Sequence, residues 1–342
     1  MIQQIRRRAL LALLGLPRPL MRIAAGRPVE VAGQKLALEM QWLCRLAAIG
    51  RPDSPPLSEV PRLRAEMDAL ASVLSGPRGA EVAREDGRIE GRRGWVPIRI
   101  YRPGPPGLPL LVYYHGGGWV IGSIESHDGL CAELAADARC TVVSVSYRMA
   151  PEDRFPAAVD DALDAFRWAR AEARELGGDP ARVAVGGDSA GGNLAAVVSQ
   201  QCAALGEPGP ALQLLLYPAT DLSRESPSYA TYGEGFYLTR ARMSWFEDIY
   251  IPVEERTDVR ASPLLCKELA GQPRTHLVTA GFDLLRDEGR AYAEALAAAG
   301  VAVTYRNYEG LIHGFASMAG LIPAARAAYD DMVEAFRTLL HA

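Results

Sequence analysis

The stretch Val183-Ala184-Val185-Gly186-Gly187-Asp188-Ser189-Ala190-Gly191-Gly192-Asn193-Leu194 decides how the rest of the chain is read. A short apolar run of strand character leads into G-x-S-x-G at Gly187–Gly191, and a helical stretch follows from Leu194. A serine in a sharp strand-to-helix turn has its Oγ pushed into the open, and flanking glycines remove the Cβ atoms that would clash. The helix behind it directs backbone N–H groups and the positive end of its dipole at developing negative charge. The pentapeptide alone turns up in ordinary turns. The strand–turn–helix context is what makes Ser189 a candidate nucleophile.

Outward from this turn the same grammar repeats. Apolar or alternating runs of strand length occur at Val96–Tyr101, Leu110–Tyr114, Thr141–Ser146, Val183–Val185, Leu212–Tyr217, His276–Thr279 and Val301–Tyr305. Helical stretches lie between most of them, at Gly129–Ala138, Ala157–Glu175, Leu194–Leu205 and Glu288–Ala299, and Ala324–Leu340 closes the chain. Strand alternating with helix predicts an α/β fold with a mostly parallel sheet covered on both faces. Before about Gly79 the sequence reads as helices and loops, with apolar residues at helical spacing in Leu36–Ile49 and Leu63–Leu74. The segment 221–263 carries Tyr229, Tyr232, Phe236, Tyr237, Trp245, Phe246 and Tyr250 and reads as a lid or pocket wall, although ordinary packing explains any single one equally well.

A serine nucleophile needs a base. The histidines are His115, His127, His276, His313 and His341. With this motif the chain order is Ser, then Asp or Glu, then His, which leaves the last three. His276 starts a strand, and His341 is the penultimate residue and is expected to fray. His313 sits in the loop Gly310-Leu311-Ile312-His313-Gly314-Phe315 after the last strand, so it is the candidate base by elimination. The acid is expected at the end of the preceding strand, which points to Asp283; Asp287 is the runner-up and reads as a first-turn helix residue. Such an acid fixes the imidazole tautomer and stabilises the imidazolium.

The third element is His115-Gly116-Gly117-Gly118-Trp119, after the strand Leu110–Tyr114. Consecutive glycines let backbone N–H groups approach a ligand, the arrangement of an oxyanion loop. A phosphate-binding loop is excluded because no Gly-Lys-Ser/Thr follows. The expected donors are the N–H groups of Gly117, Gly118 and Ala190, each worth roughly 3–4 kcal/mol at a transition state. His115 is read as positioning this loop.

Composition removes other classes. A chain of 342 residues, 49% of them hydrophobic, can bury a large core without a metal or disulfide staple. The net charge of -4, from 37 basic and 41 acidic residues, argues against a nucleic-acid binder. Cys44, Cys131, Cys140, Cys202 and Cys266 are scattered, with no CxxC or CxxH pair, so no metal site and no disulfide framework is expected. Nearly all positive charge is arginine, since only Lys35 and Lys267 are lysines.

At the N-terminus Arg6-Arg7-Arg8 precedes the apolar run Ala9–Leu14, which Pro17-Arg18-Pro19 stops. The run is too short to span a bilayer, and no clear cleavage site follows. A basic amphipathic helix on a membrane surface is compatible with residues 1–28. Packing on the fold is the reading adopted, with a cytoplasmic location.

HGGGW at His115–Trp119, YRMAPE at Tyr147–Glu152, GDSAGG at Gly187–Gly192, DLLRDEG at Asp283–Gly289 and IHGF at Ile312–Phe315 together resemble the hormone-sensitive-lipase-like branch of α/β-hydrolases, the bacterial family IV carboxylesterases. The resemblance runs from about Ile98 to the C-terminus. It implies an eight-stranded sheet, an N-terminal helical cap, a Ser189–Asp283–His313 triad without cofactor, and hydrolysis of short- to medium-chain esters. The family usually has DPL where this chain has Asp283-Leu284-Leu285, which alters loop stiffness and keeps the acid. Glu152 and Asp153 read as structural. The expected organisation is residues 1–79 as extension and cap and 80–342 as catalytic domain, with 221–263 as a second cap or pocket wall. Trp42, Leu43, Leu46, Met67, Leu70 and Leu74 are expected to roof the pocket, and Trp119 to crowd its acyl end. Amide hydrolysis, as in a formamidase or arylacetamide deacetylase, uses the same residues and stays open. A non-catalytic receptor on this fold is disfavoured because His313 is in place. The expected partner is a small-molecule ester, with a homodimer compatible and no nucleic acid.

Overall fold

Alternation along a single strand shows how the architecture is built. In β5 (Leu108–Tyr114), Leu110, Val112 and Tyr114 enter one hydrophobic core, whereas Leu111 and Tyr113 enter another. Successive strand residues point to opposite faces, so a strand apolar at every position must be covered on both. The first core is closed by the helices Ala157–Ala171, Ala190–Ala204 and Arg286–Ala298, the second by Ile124–Ala138 and Pro323–His341. This computed structural model describes residues 12–342 other than 14, 49–51, 75 and 77.

A short hairpin, β1 (Glu30–Val31) and β2 (Gln34–Lys35), precedes the main sheet. The sheet contains β3 (Ala83–Gly91), β4 (Gly94–Arg102), β5, β6 (Thr141–Val145), β7 (Gly178–Asp188), β8 (Leu212–Leu216), β9 (Arg274–Phe282) and β10 (Val303–Ile312). Their spatial order is β10-β9-β8-β7-β5-β6-β4-β3. From β10 to β6 all neighbours are parallel, and β4 and β3 join antiparallel at one edge. The chain thus has the mostly parallel α/β sheet read from its sequence, with the eight strands that the family resemblance implied.

The one strand of this sheet that the sequence reading missed is β3. Six of its nine residues in a row are exposed, because it lies at the edge and carries Arg84, Glu85, Asp86 and Arg88. Charges on an edge strand discourage pairing with other chains, and they also erase the apolar signal of a strand. Other differences are boundaries. The helix read from Gly129 begins at Ile124, behind a capping box in which Ser123 Oγ accepts from Ser126 N–H. The helix read from Leu194 begins at Ala190, directly after the serine. His341 does not fray: it ends the helix Pro323–His341, and its Nε2 lies 3.0 Å from the Ala138 carbonyl.

Before β3 the helices are Arg18–Ala25, Leu38–Ala47 and Val60–Leu74. Residues 1–11, including Arg6-Arg7-Arg8, lie outside the described residues. Helix Arg18–Ala25 buries Met21 and Ala25, and the buried Gln41 amide donates to the carbonyls of Ala25 and Arg27, both at 2.7 Å. No helix among the described residues is long and apolar enough to cross a membrane.

Candidate active site

Sheet topology sets the site. β7 ends at Asp188, β9 at Phe282 and β10 at Ile312, so Ser189, Asp283 and His313 each leave the same end of parallel strands. Ser189 has φ 55 and ψ -118, a conformation rare for a residue with a Cβ. It is held by backbone bonds on both sides, from Ser189 N–H to Leu216 O at 2.8 Å and from Asn193 N–H to Ser189 O at 3.0 Å. The following helix leaves the Ala190 N–H without an intrahelical acceptor. Gly191 is required here, since a Cβ on it would enter the Tyr114 backbone.

The three predicted side chains form one hydrogen-bonded chain. His313 Nε2 lies 2.9 Å from Ser189 Oγ, and His313 Nδ1 lies 2.7 Å from Asp283 Oδ2. The other carboxylate oxygen of Asp283 accepts from Leu285 N–H at 2.9 Å, which fixes the carboxylate plane. Asp283 is buried, whereas the serine side faces a cavity. With Asp283 on Nδ1–H, Nε2 is left to accept the serine proton, as general-base catalysis requires. The runner-up acid Asp287 instead pairs with Arg286 at 2.9 Å in the first turn of its helix.

The loop His115–Trp119 lies opposite. Gly117 and Gly118 have φ +122 and +61, backbone conformations that glycine adopts freely, and both face the cavity with Ser189 and Ala190. His115 is buried and stacks on Tyr147 at 4.3 Å, with Nδ1 2.9 Å from Gly116 O. Burial, aided by the neighbouring His127, pushes the His115 pKa down to about 3, so the ring is neutral and acts as a spacer under the loop. Arg64, on the helix Val60–Leu74, reaches into this region. It donates to Val120 O at 2.8 Å and Ala150 O at 3.0 Å and pairs with Glu152.

The cavity holds about 420 Å³. Met67, Leu70 and Leu74 line it as expected, but Trp42, Leu43 and Leu46 do not. Helix Leu38–Ala47 presents Cys44 and Ala47 instead, while Leu43 packs in the core and Trp42 Nε1 donates to Leu13 O at 2.7 Å. Of the aromatics in 221–263, Phe236, Tyr237 and Phe246 line the cavity; Tyr229, Tyr232, Trp245 and Tyr250 are packed away from it. Trp119 is among the residues lining the cavity, and its buried ring stacks on Tyr250 at 4.5 Å, which anchors the loop. No group of three or more His, Cys, Asp or Glu among the described residues is arranged to hold a metal ion.

Two residues beside the serine were passed over by sequence reasoning. Asp188 was quoted within the motif without a role, and His127 was set aside by chain order alone. Both are buried under the loop, and His127 Nε2 lies 3.1 Å from Asp188 Oδ1. Burial alone would raise the Asp188 carboxyl, but His127 and the Tyr113 hydroxyl bring it below its usual range. The available signal was an ionisable residue directly before the nucleophile, at the end of the otherwise apolar run from Val183.

Residues 111–317 match the family model described as the alpha/beta hydrolase fold. The chain is 42% identical to the carboxylic ester hydrolase LipN of Mycobacterium tuberculosis, over 95% of this chain and 89% of that protein. It is 40% identical to an ethyl acetate hydrolase of Pseudomonas putida, over 82% and 90% of the two chains. An ester hydrolase from the metagenome of Lake Arreo, solved with a derivative of bipyridine phosphonate, superposes with a TM-score of 0.84 at 44% identity, covering 90% of this chain and 100% of that one. The chain belongs to the α/β-hydrolase family, in its hormone-sensitive-lipase-like branch.

Proposed function

We propose that the protein is a serine carboxylesterase acting on short- to medium-chain esters, with Ser189 as nucleophile, His313 as general base and Asp283 as the acid that orients it. The observation that carries this reading is the unbroken chain Asp283–His313–Ser189 ending in a largely apolar cavity beside Gly117, Gly118 and Ala190. Ser189 Oγ attacks the ester carbonyl as His313 Nε2 takes its proton. The N–H groups of Gly117, Gly118 and Ala190 stabilise the tetrahedral oxyanion. His313 then returns the proton to the leaving alcohol, and water hydrolyses the acyl-enzyme by the same steps in reverse. None of these steps calls on a cofactor.

In this reading residues 1–79 form a cap over the catalytic part, 80–342, and 221–263 supplies the second wall of the cavity. The lining from the helix Val60–Leu74 and from Phe236, Tyr237 and Phe246 supports that division. The partner is a small-molecule ester. A cytoplasmic setting is supported by five unpaired thiols, of which all but Cys266 are buried. Initial rates on p-nitrophenyl esters from acetate to palmitate, beside one anilide, test the proposal. Ester turnover with a far slower anilide is the expected result, and faster anilide cleavage would overturn it. Size-exclusion chromatography of the same preparation decides whether it is a homodimer.

A further inference from the structure

The carboxylate of Asp188 lies between the two halves of the site. It belongs to the residue before Ser189, and its Oδ1 accepts from Gly116 N–H at 2.9 Å, the residue before Gly117. The same oxygen accepts from the Tyr113 hydroxyl at 2.9 Å and faces His127 Nε2 at 3.1 Å. Gly116 N–H also points at His127 Nε2, at 3.3 Å; because a carboxylate oxygen can only accept, the clamp assigns the His127 proton to Nε2 and the Gly116 N–H to Asp188. His127 Nδ1 is in turn 2.8 Å from Ser126 Oγ, within the capping box that starts the helix Ile124–Ala138. The contact is close: a Cβ on Gly116 would run into the Asp188 carboxylate. Beyond this anchor Gly117, Gly118 and Trp119 all have positive φ, so the segment that carries the donors needs to be held by its surroundings.

We propose that His127 and Asp188 form a second His–Asp pair whose task is positioning: it clamps the oxyanion loop to the nucleophile turn and so sets the distance between the N–H donors and Ser189 Oγ. Neither side chain reacts. One carboxylate oxygen is bonded on one side to the loop and joined covalently on the other to the residue preceding the nucleophile. His127 holds that carboxylate in place from the helix behind. Donors must sit about 2.7–3.1 Å from the position the oxyanion will occupy, and a misplacement of about 1 Å can cost on the order of a hundredfold in rate. His127 and Asp188 border the cavity, but the clamp acts through the position of the donors, so its loss is expected to fall on kcat more than on KM.

This inference rests on the esterase reading, and the test separates the two. His127→Leu removes the clamp, and His127→Gln keeps an N–H donor near the Nε2 position. Turnover of p-nitrophenyl butyrate is measured per site, with sites counted by exhaustive labelling with a p-nitrophenyl alkylphosphonate. The expected result is a kcat about 10–100-fold lower in H127L with KM within about twofold, and recovery of most of that loss in H127Q. Histidine ring 15N NMR of the wild-type protein should find Nε2 of His127 protonated. A kcat per labelled site within about threefold of wild type in H127L, a loss expressed in KM, or a His127 ring protonated on Nδ1 alone would each overturn the clamp. The NMR measurement keeps the inference falsifiable should H127L fail to fold. Wild-type protein that neither turns over esters nor is labelled at Ser189 would instead refute the esterase reading.

Discussion

His313 Nε2 stands 2.9 Å from Ser189 Oγ across 124 residues of sequence. Only the parallel register of β7, β9 and β10 brings the two loops together, and the distance is already that of a proton transfer. Ser189→Ala is expected to lower kcat by about a million-fold while the fold survives, and His313→Ala nearly as much. His341→Ala should leave the kinetics unchanged and cost a little stability through its bond to Ala138 O. Retention of a tenth of the activity in the alanine variant at position 189, measured on p-nitrophenyl butyrate, would refute the nucleophile.

Cavity size sets the second expectation. Met67, Leu70, Leu74 and Phe246 line a space of about 420 Å³ beside the serine. Each methylene that fits gains about 0.8 kcal/mol, and one that does not fit gains nothing. kcat/KM is therefore expected to rise from acetate and peak between about C4 and C8, for the same reason. A steady rise to palmitate with activation at an oil surface would identify a lipase.

Arg64 ties the helix Val60–Leu74 to the loop region through Val120 O, Ala150 O and Glu152. Its side chain is mostly covered, so Arg64→Leu strands two carbonyls and should cost roughly 1–3 kcal/mol. Glu152 is more than half exposed, and Glu152→Ala should cost at most about 1 kcal/mol. Urea denaturation of both variants checks the order, and equal losses would mean that the ion pair, rather than the backbone contacts, carries the effect.

His276 gives the fold a pH dependence away from the site. It is fully buried in β9, and burial lowers its pKa to about 4. The unfolded chain takes up this proton near pH 6.5, so between about 6.5 and 4 the unfolded state binds more protons and stability falls as pH falls. The contribution is intact above that window, and its full span is about 3 kcal/mol. Glu247, raised to about 7 chiefly by burial, acts in the opposite sense over part of the range but is present in both proteins when wild type is compared with His276→Gln. The difference in unfolding free energy between them should change with pH only in that window, with the wild type losing more on acidification. A flat difference would exclude His276 as the source.

Deletion of residues 1–28 tests the N-terminal segment. The sequence alone suggested a slight loss of stability. The structure implies more, because buried Gln41 would lose the Ala25 and Arg27 carbonyls, at roughly 1–3 kcal/mol. Kinetics on soluble esters should stay near wild type. Helix Arg18–Ala25 also leaves Leu20 and Ile23 exposed beside Arg18 and Arg22, so co-sedimentation with anionic vesicles is the second measurement. The full-length protein is expected in the supernatant. Salt-sensitive pelleting that the truncation abolishes would favour a membrane-surface helix.

The sequence by itself determined the sheet class, because runs such as Leu110–Tyr114, apolar at every position, have no stable setting except between two covered faces. It also singled out Ser189 as the candidate nucleophile, since the turn chemistry of Gly187–Gly191 is local, and it narrowed the candidate base and acid to His313 and Asp283 through chain order. Edge strand β3 stayed hidden because its charged side chains lack the apolar pattern that marks a strand. Tertiary structure alone decided which residues line the cavity: helical spacing identifies an apolar face, but not whether Cys44 or Leu43 on that face meets the open space. It alone joined His127 to Asp188, 61 positions apart, since a contact between a helix start and a strand end depends on packing geometry that no local pattern encodes.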